Sequence, residues 1–404
     1  MIILSQGKAY LVGGAVRDEL LSLPIGEKDY VVVGATPEDM IKAGFRPVGQ
    51  DFPVFLHPKT HEEYALARTE RKVAPGYHGF VFHADQHVTL EEDLLRRDLT
   101  INAMAKDETD GHLIDPLDGQ RDLQDRVLRH INEHFAEDPI RLLRLARFAA
   151  RFKPLGFTIH PETIALCKHM VHNGELDTLQ PERVYTETIK ALAESDPVEY
   201  FIVLQRAEAL EVVYPEVACA MQHRPVLAVL TEAVRLTEFP QLHHKTVRRS
   251  TKETAQLRFI ALAQACGDPT QNFQPCSRCT SLCQRLRAPN LVARLARRAC
   301  EVREALCHWQ SLDAPARLAH LERLDAWRSK EQVIALAPVL VAELQICGCS
   351  VDQWDALLGD MTRALDVATA PLLLQGLRGE ALGKALHQAR LAALSAPDNQ
   401  PTAL

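Results

Sequence analysis

The sequence predicts an α+β protein in which a β-rich first part gives way to a long, all-helical remainder. Three observations carry that reading. Short apolar and β-branched runs, such as Ala9-Tyr-Leu-Val12 and Asp29-Tyr-Val-Val-Val-Gly34, recur before about residue 135. From Asp138 onward Leu and Ala dominate and such runs are rare. Glycines and prolines punctuate the first part where strand gives way to helix.

Taken in order, Ala9–Val12 reads as a strand, and Gly13-Gly14 leads into an amphipathic helix from Ala15 to Leu23 that Pro24 and Gly26 end. Asp29–Gly34 is a second strand. Thr36 caps a second helix with Pro37 at its first position. Val54–His57 and Glu62–Arg68 complete a small mixed sheet flanked by helices. Residues 69–88, rich in charge with Gly and Pro, read as an irregular, mobile loop. Asp138-Pro139 opens the helical part, and further helices are expected near 160–170, 180–194, 197–208, 225–237, 254–266, 291–308 and 315–327. The tail, Ser395–Leu404, is expected to be disordered.

With 404 residues, 47% apolar and 25% charged, the composition is that of a soluble globular protein of two or more domains. No uncharged apolar stretch of about 18 residues occurs, and Met1–Tyr10 has no signal-peptide core, so no membrane association and a cytoplasmic location are expected. The net charge of −7 excludes a protein coated in basic surface but leaves room for a local basic groove that holds phosphates. All ten cysteines lie at or beyond Cys167, and reduced, mostly buried thiols are expected. Cys276, Cys279 and Cys283 hint at zinc, but a zinc site needs four ligands, commonly two close pairs, and only one pair is evident. A helix carrying small apolar side chains is the favoured reading.

The residues that carry chemistry fall in the first part and at its junction with the second. Gly13-Gly14-Ala-Val-Arg17-Asp18 sits between strand and helix, where glycines let a phosphate approach, a helix N-terminus offers free N–H groups, and Arg17 pairs with phosphate oxygens. Many such turns exist only to make the turn. Glu27-Lys-Asp29 places two carboxylates on one side of a strand, the arrangement that holds Mg²⁺ against a triphosphate. Taken alone, such a pair is more often two solvated acids. Glu63 is the candidate third carboxylate from a neighbouring strand, with Glu62 facing away. Arg96-Arg97 would neutralise phosphates, and Asn102 would hold a sugar hydroxyl or a loop. Arg141, Arg144, Arg147 and Arg151, spaced three, three and four apart, share one helical face. That stripe is a solvated basic face or a nucleotide-facing one. Asp138 and Arg141 together offer an acceptor and planar donors, a set able to read the Watson–Crick edge of one base.

In this order, Leu11-Val-Gly-Gly-Ala-Val-Arg-Asp18, Asp29–Gly34, Asp51-Phe-Pro-Val-Phe-Leu-His57, Glu63-Tyr-Ala-Leu-Ala-Arg-Thr-Glu-Arg-Lys72, Arg96-Arg-Asp-Leu-Thr-Ile-Asn-Ala103 and Glu137-Asp-Pro-Ile-Arg141 resemble the class II tRNA nucleotidyltransferases, the bacterial CCA-adding enzymes. The likeness runs from about residue 9 to about 216, and Pro181-Glu-Arg-Val184 and Tyr214-Pro-Glu-Val217 fit it. It implies a polymerase-β-like nucleotidyltransferase head (1–137), a helical neck with base recognition (138–220), and a helical, tRNA-binding body and tail (221–394), before the disordered 395–404. It also implies that Gly14, Arg17, Arg97, Asp138, Arg141, Arg144 and Arg147 contact ATP or CTP. Glu27 and Asp29 would bind Mg²⁺ and, with Glu63, form the catalytic set. The 69–80 segment is similar to the loop linked to the switch to A addition. The partners implied are tRNA, ATP and CTP, and the chain is expected to be a monomer or weak dimer. Two departures stand out. The family's usual Asp-x-Asp is Glu27-Lys-Asp29 here, and Glu also ligates Mg²⁺. The His-Asp pair of the phosphohydrolase domain in some members is replaced by Gln264-Ala265, so no phosphohydrolase activity is expected. His243-His244 reads as polar loop. The rival readings are a poly(A) polymerase, which shares the head, and a non-catalytic tRNA-binding protein.

Overall fold

A computed structural model describes residues 6–48, 54–72, 80–83, 86–238, 249–267 and 276–396. The chain divides into two compact units, Met1–Val213 and Tyr214–Leu404. The expected head, 1–137, and the expected neck up to Val213 lie in the first, and residues 214–220 of the expected neck fall in the second.

The first unit is built on β1 (Lys8–Val12), α1 (Gly14–Leu20), β2 (Asp29–Val33), α2 (Pro37–Lys42), β3 (Arg46–Val48), β4 (Val54–Leu56) and β5 (Glu63–Leu66). It continues with β6 (Thr69–Lys72), β7 (Phe80–His83), α3 (Leu90–Leu95), β8 (Ala105–Lys106), β9 (Leu113–Ile114), α4 (Gly119–Gln124) and β10 (Val127–Leu128). Seven strands form a mixed sheet in the order β3-β4-β5-β2-β1-β8-β9, in which β2 and β5 run parallel. Tyr30-Val-Val-Val33 is a continuous apolar run because both faces of β2 are covered. Val31 joins Val12, Leu90 and Leu94 on one side. Val32 joins Met40, Phe45, Phe55 and Leu66 on the other. The cap expected at Thr36 is a full capping box with Asp39.

The 69–88 reading needs correction. Thr69–Lys72 and Phe80–His83 pair as an antiparallel ladder with Thr69 opposite His83, and α3 begins at Leu90 after a Thr89 capping box. Residues 73–79, the centre of the expected loop, lie outside the described residues, as do His243-His244 and 397–404. Of the expected disordered tail, Ser395 closes the last helix.

The helical part of this unit comprises α5 (Ile140–Phe152), α6 (Pro161–His172), α7 (Pro181–Leu192), α8 (Pro197–Arg206) and α9 (Leu210–Val213), with a short β11 (Thr158–Ile159) beside β10. At the start of α5, Asp138 accepts the Ile140 N–H (3.2 Å) and Pro139 takes the helical turn, as the cap-then-proline pattern predicts. α5 is buried along most of its length and packs on α7 and α8.

The second unit holds α10 (Pro215–Met221), α11 (Val226–Glu238), α12 (Thr251–Ala265), α13 (Ser277–Arg285), α14 (Asn290–Cys307), α15 (Ala314–Arg323), α16 (Lys330–Ala335), α17 (Ala337–Ile346), α18 (Asp352–Leu365), α19 (Ala370–Leu374) and α20 (Gly379–Ser395). Its core forms where α11, α12, α14 and α17 meet. Cys279 and Cys283 are buried on α13, the helix expected there. The expectation of ten reduced thiols is corrected: Cys276, at the start of α13, is joined to Cys300 on α14, and the other eight cysteines are free. Gln264 is fully buried, and its amide donates to Glu343 (3.0 Å), whose carboxylate also pairs with Arg224.

Candidate active site

The turn between β1 and α1, the first residues of β2 and β5, the chain from α3 to Asn102, and the arginine stripe of α5 open on one cleft of about 820 Å³. Every site residue read from the sequence lines it: Gly14, Arg17, Glu27, Asp29, Glu63, Arg97, Asp138, Arg141, Arg144 and Arg147. The lining carries ten basic side chains against six carboxylates. A chain of net charge −7 thus keeps a locally positive groove suited to phosphates.

The acids gather on the strand side. β2 and β5 are parallel with Asp29 and Glu63 in register, so these carboxylates stand on adjacent strands facing the same way. Glu27 precedes Asp29 by two residues, and all three are exposed to the cleft. Burial against the cleft wall raises the Asp29 carboxyl above its ordinary value; the Arg97 charge opposes this and the Glu27 charge adds to it. Oxygen-only donors that repel one another suit a hard cation, and Mg²⁺ fits this chemistry. In the present arrangement they are not drawn into a closed set of three ligands. Glu62 faces elsewhere and accepts the Thr60 hydroxyl (2.7 Å).

The helical side is a wall of guanidinium groups, most of them fixed by carboxylates. Arg144 binds Asp98 through Nε and Nη2 (both 2.8 Å). Asp98 also accepts the Asn102 amide and the Leu99 N–H (both 2.9 Å). Burial alone would raise the Asp98 carboxyl, but Arg144 and these hydrogen bonds outweigh it and hold it well below the usual carboxylate range. Arg97 pairs with the fully buried Asp93 (3.2 Å), which Arg96 also grips (2.6 Å). Arg147 binds Glu187 (2.8 Å) and Glu194 (3.4 Å) on and beyond α7. Arg17 is nearly buried: its Nε and Nη2 donate to Asp18 (2.9 and 2.8 Å) and its Nη1 to Asn102. It therefore braces the glycine turn against the Asp98 network rather than standing open in the cleft. Asn102 holds the loop, one of the two roles read for it. The α5 stripe is the cleft-facing alternative: Arg151, at its end, reaches Asp18 (2.8 Å).

Asp18, Asp93, Asp98, Arg183 and Glu187 were missed as site residues. The Gly-Gly-x-x-Arg-Asp and Arg-Arg-Asp strings contain Asp18 and Asp98, but their partners are 133 and 46 residues away along the chain.

Gly13, not Gly14, bears the backbone demand. Its φ of 69° and ψ of −126° suit only glycine. A Cβ there would lie 2.7 Å from Arg97 Nη1. Gly13→Ala should cost roughly 1–3 kcal/mol of stability and raise KM for a phosphate-bearing substrate by displacing Arg97. Urea unfolding and steady-state kinetics check the two effects.

Fold and cleft together define a nucleotidyltransferase. Residues 9–129 match the Poly A polymerase head domain family, and residues 156–221 match the family described as the probable RNA and SrmB-binding site of polymerase A. The chain is 45% identical to the multifunctional CCA protein of Methylococcus capsulatus, over 96% of this chain and 94% of that one. It is 44% identical to that of Alkalilimnicola ehrlichii, over 96% and 97%. The chain belongs to the multifunctional CCA protein family. Among solved structures, a Thermotoga maritima CCA-adding enzyme complexed with tRNA shares the fold, with a TM-score of 0.63, 23% identity, and coverage of 98% and 89%.

Proposed function

We propose that the protein adds C, C and A in turn to the 3′ end of tRNA from CTP and ATP, without a nucleic-acid template and with release of pyrophosphate. The observation that carries this reading is the cleft itself. It sets Glu27, Asp29 and Glu63 opposite the arginines of α3 and α5, with Asp138 and Arg141 in the same lining. Family membership supports it.

Glu27 and Asp29 would hold Mg²⁺, which supplies Lewis-acid activation of the attacking hydroxyl and charge neutralisation of the leaving group. Glu63, in register with Asp29, or Asp29 itself would accept the proton of the tRNA 3′-hydroxyl as it attacks the α-phosphate. Arg97, Arg144 and Arg147 hold the triphosphate and stabilise the departing pyrophosphate. Gly14 and the start of α1 leave backbone N–H groups for phosphate oxygens, and Arg17 keeps that turn in place. Asp138 and Arg141 read the base by paired hydrogen bonds, an acceptor for an exocyclic amino group and donors for ring acceptors. Glu27 in place of Asp would reach the same ion with a longer arm.

The second unit grips tRNA by shape and phosphates. Its reading as a unit without a phosphohydrolase role is supported by Gln264, an amide bonded to Glu343 where some members carry the His of the His-Asp pair. The protein works in the cytoplasm as a monomer or weak dimer.

Purified protein with Mg²⁺ and tRNA transcripts ending before CCA, after C and after CC should add C, C and A and then stop. Runs of A would instead assign a poly(A) polymerase, and tight tRNA binding without incorporation a non-catalytic binder.

A further inference from the structure

Both side chains assigned to reading the base are engaged with the protein itself. Arg183, in the first turn of α7, donates Nη1 to Asp138 Oδ1 (3.4 Å) and Nη2 to Asp138 Oδ2 (3.1 Å). Arg141 donates Nη1 to the His134 carbonyl (2.9 Å) and Nη2 to the Arg96 carbonyl (2.6 Å). A guanidinium offers a carboxylate a planar pair of parallel N–H donors. Arg183 therefore presents to Asp138 what a base presents with its exocyclic amino edge. Arg183 is also common to the lining of the main cleft and of a smaller pocket of about 320 Å³, which Ile140, Thr186 and Lys190 line with it. A side chain at that position thus borders open space beyond its contact with Asp138.

We propose that Arg183 is a positioning residue for base selection: its guanidinium stands in for the base on Asp138, and nucleotide entry moves it aside. This rests on the assignment of Asp138 as a base reader. Two consequences follow from the geometry. The fork engages both Asp138 oxygens, which accept from Arg183 as they would accept from the amino group of cytosine or adenine. A base without an amino group there, such as uracil, gives the carboxylate no donor and does not displace the fork, so Arg183 adds to discrimination against it. Lysine keeps the charge but not the planar pair, and glutamine keeps some length but loses the charge.

The test is single-nucleotide incorporation by Arg183→Gln, Arg183→Lys and Asp138→Asn proteins, reading kcat and KM separately for CTP, ATP and UTP, with thermal unfolding alongside. The expected result is that R183Q lowers the preference for CTP over UTP by about tenfold or more, and that R183K recovers part of it. A purely structural strut would lower thermal stability and reduce activity with every nucleotide alike; that outcome overturns the proposal, as does unchanged selectivity in R183Q. D138N separates the two levels. If D138N alters base choice and R183Q does not, this inference alone fails. If D138N leaves base choice unchanged, the base-reading assignment fails and the inference with it.

Discussion

Asp29→Ala should lower kcat for nucleotide addition by about 10²–10³-fold or more, the loss expected when one charge-stabilising group at a reacting centre is removed. The fold should be unharmed, and that contrast makes the experiment decisive. Asp29 opens β2 from an exposed position, while Tyr30, Val31 and Val32 anchor the strand in the core. Its carboxyl is raised by burial against the cleft, reinforced by Glu27 and opposed by Arg97. An acid whose folded value lies above its unfolded value, near 3.9, costs the fold nothing below that unfolded value. The cost grows as pH rises towards the folded value and is complete above it. Alanine removes this cost, so the variant should melt at or above the wild-type temperature at neutral pH. A folded, stable and inactive protein is the expected outcome; an active one would remove Asp29 from the catalytic set. Glu27→Asp, by contrast, shortens one ligand arm, and nucleotide addition should persist.

What the sequence made legible was local. A strand, two glycines and a helix start declare themselves over a dozen residues, and the cap-then-proline start of α5 needs only Asp138, Pro139 and Ile140. The 3-3-4 arginine spacing was visible because helical periodicity is a property of one segment. Its partners were not. Arg144 finds Asp98, Arg151 finds Asp18 and Arg147 finds Glu187 only once the chain has folded back on itself. Arg183 was noticed within Pro181-Glu-Arg-Val184, yet nothing near it in the chain points to Asp138. The β6–β7 ladder was hidden because Thr-Glu-Arg-Lys has no apolar alternation, and the Gly and Pro that follow suggested a loop. The Cys276–Cys300 pairing joins two helices 24 residues apart in sequence, a distance over which spacing says nothing about geometry.

The carboxylate at Asp98 should matter for stability as much as Asp29 does for chemistry. Asp98 is buried, accepts three hydrogen bonds, from Leu99, Asn102 and Arg144 Nε, and is ion-paired with Arg144 Nη2. Through Asn102 it is tied to Arg17 and so to the glycine turn. Removing one member of a buried pair leaves the other charge without compensation, which costs about 3–5 kcal/mol. Asp98→Ala should lose an amount of that order. Asp98→Asn keeps the shape but turns an N–H₂ group towards donors, and it should lose nearly as much. Arg144→Met in the Asp98→Asn background should lose less than the two single changes added together, since the partners share one interaction. The sign of the pH dependence follows from the depressed carboxyl. Its contribution is fully present above the unfolded value near 3.9 and is lost as pH falls through the lower folded value. The stability gap between wild type and D98N, measured by urea unfolding, should therefore be flat from about pH 7 to pH 5 and shrink only below about pH 4. A gap that closes near neutrality would mean that Asp98 is not held ionised by Arg144. The guanidinium wall would then need another anchor to keep its arginines aimed at the cleft.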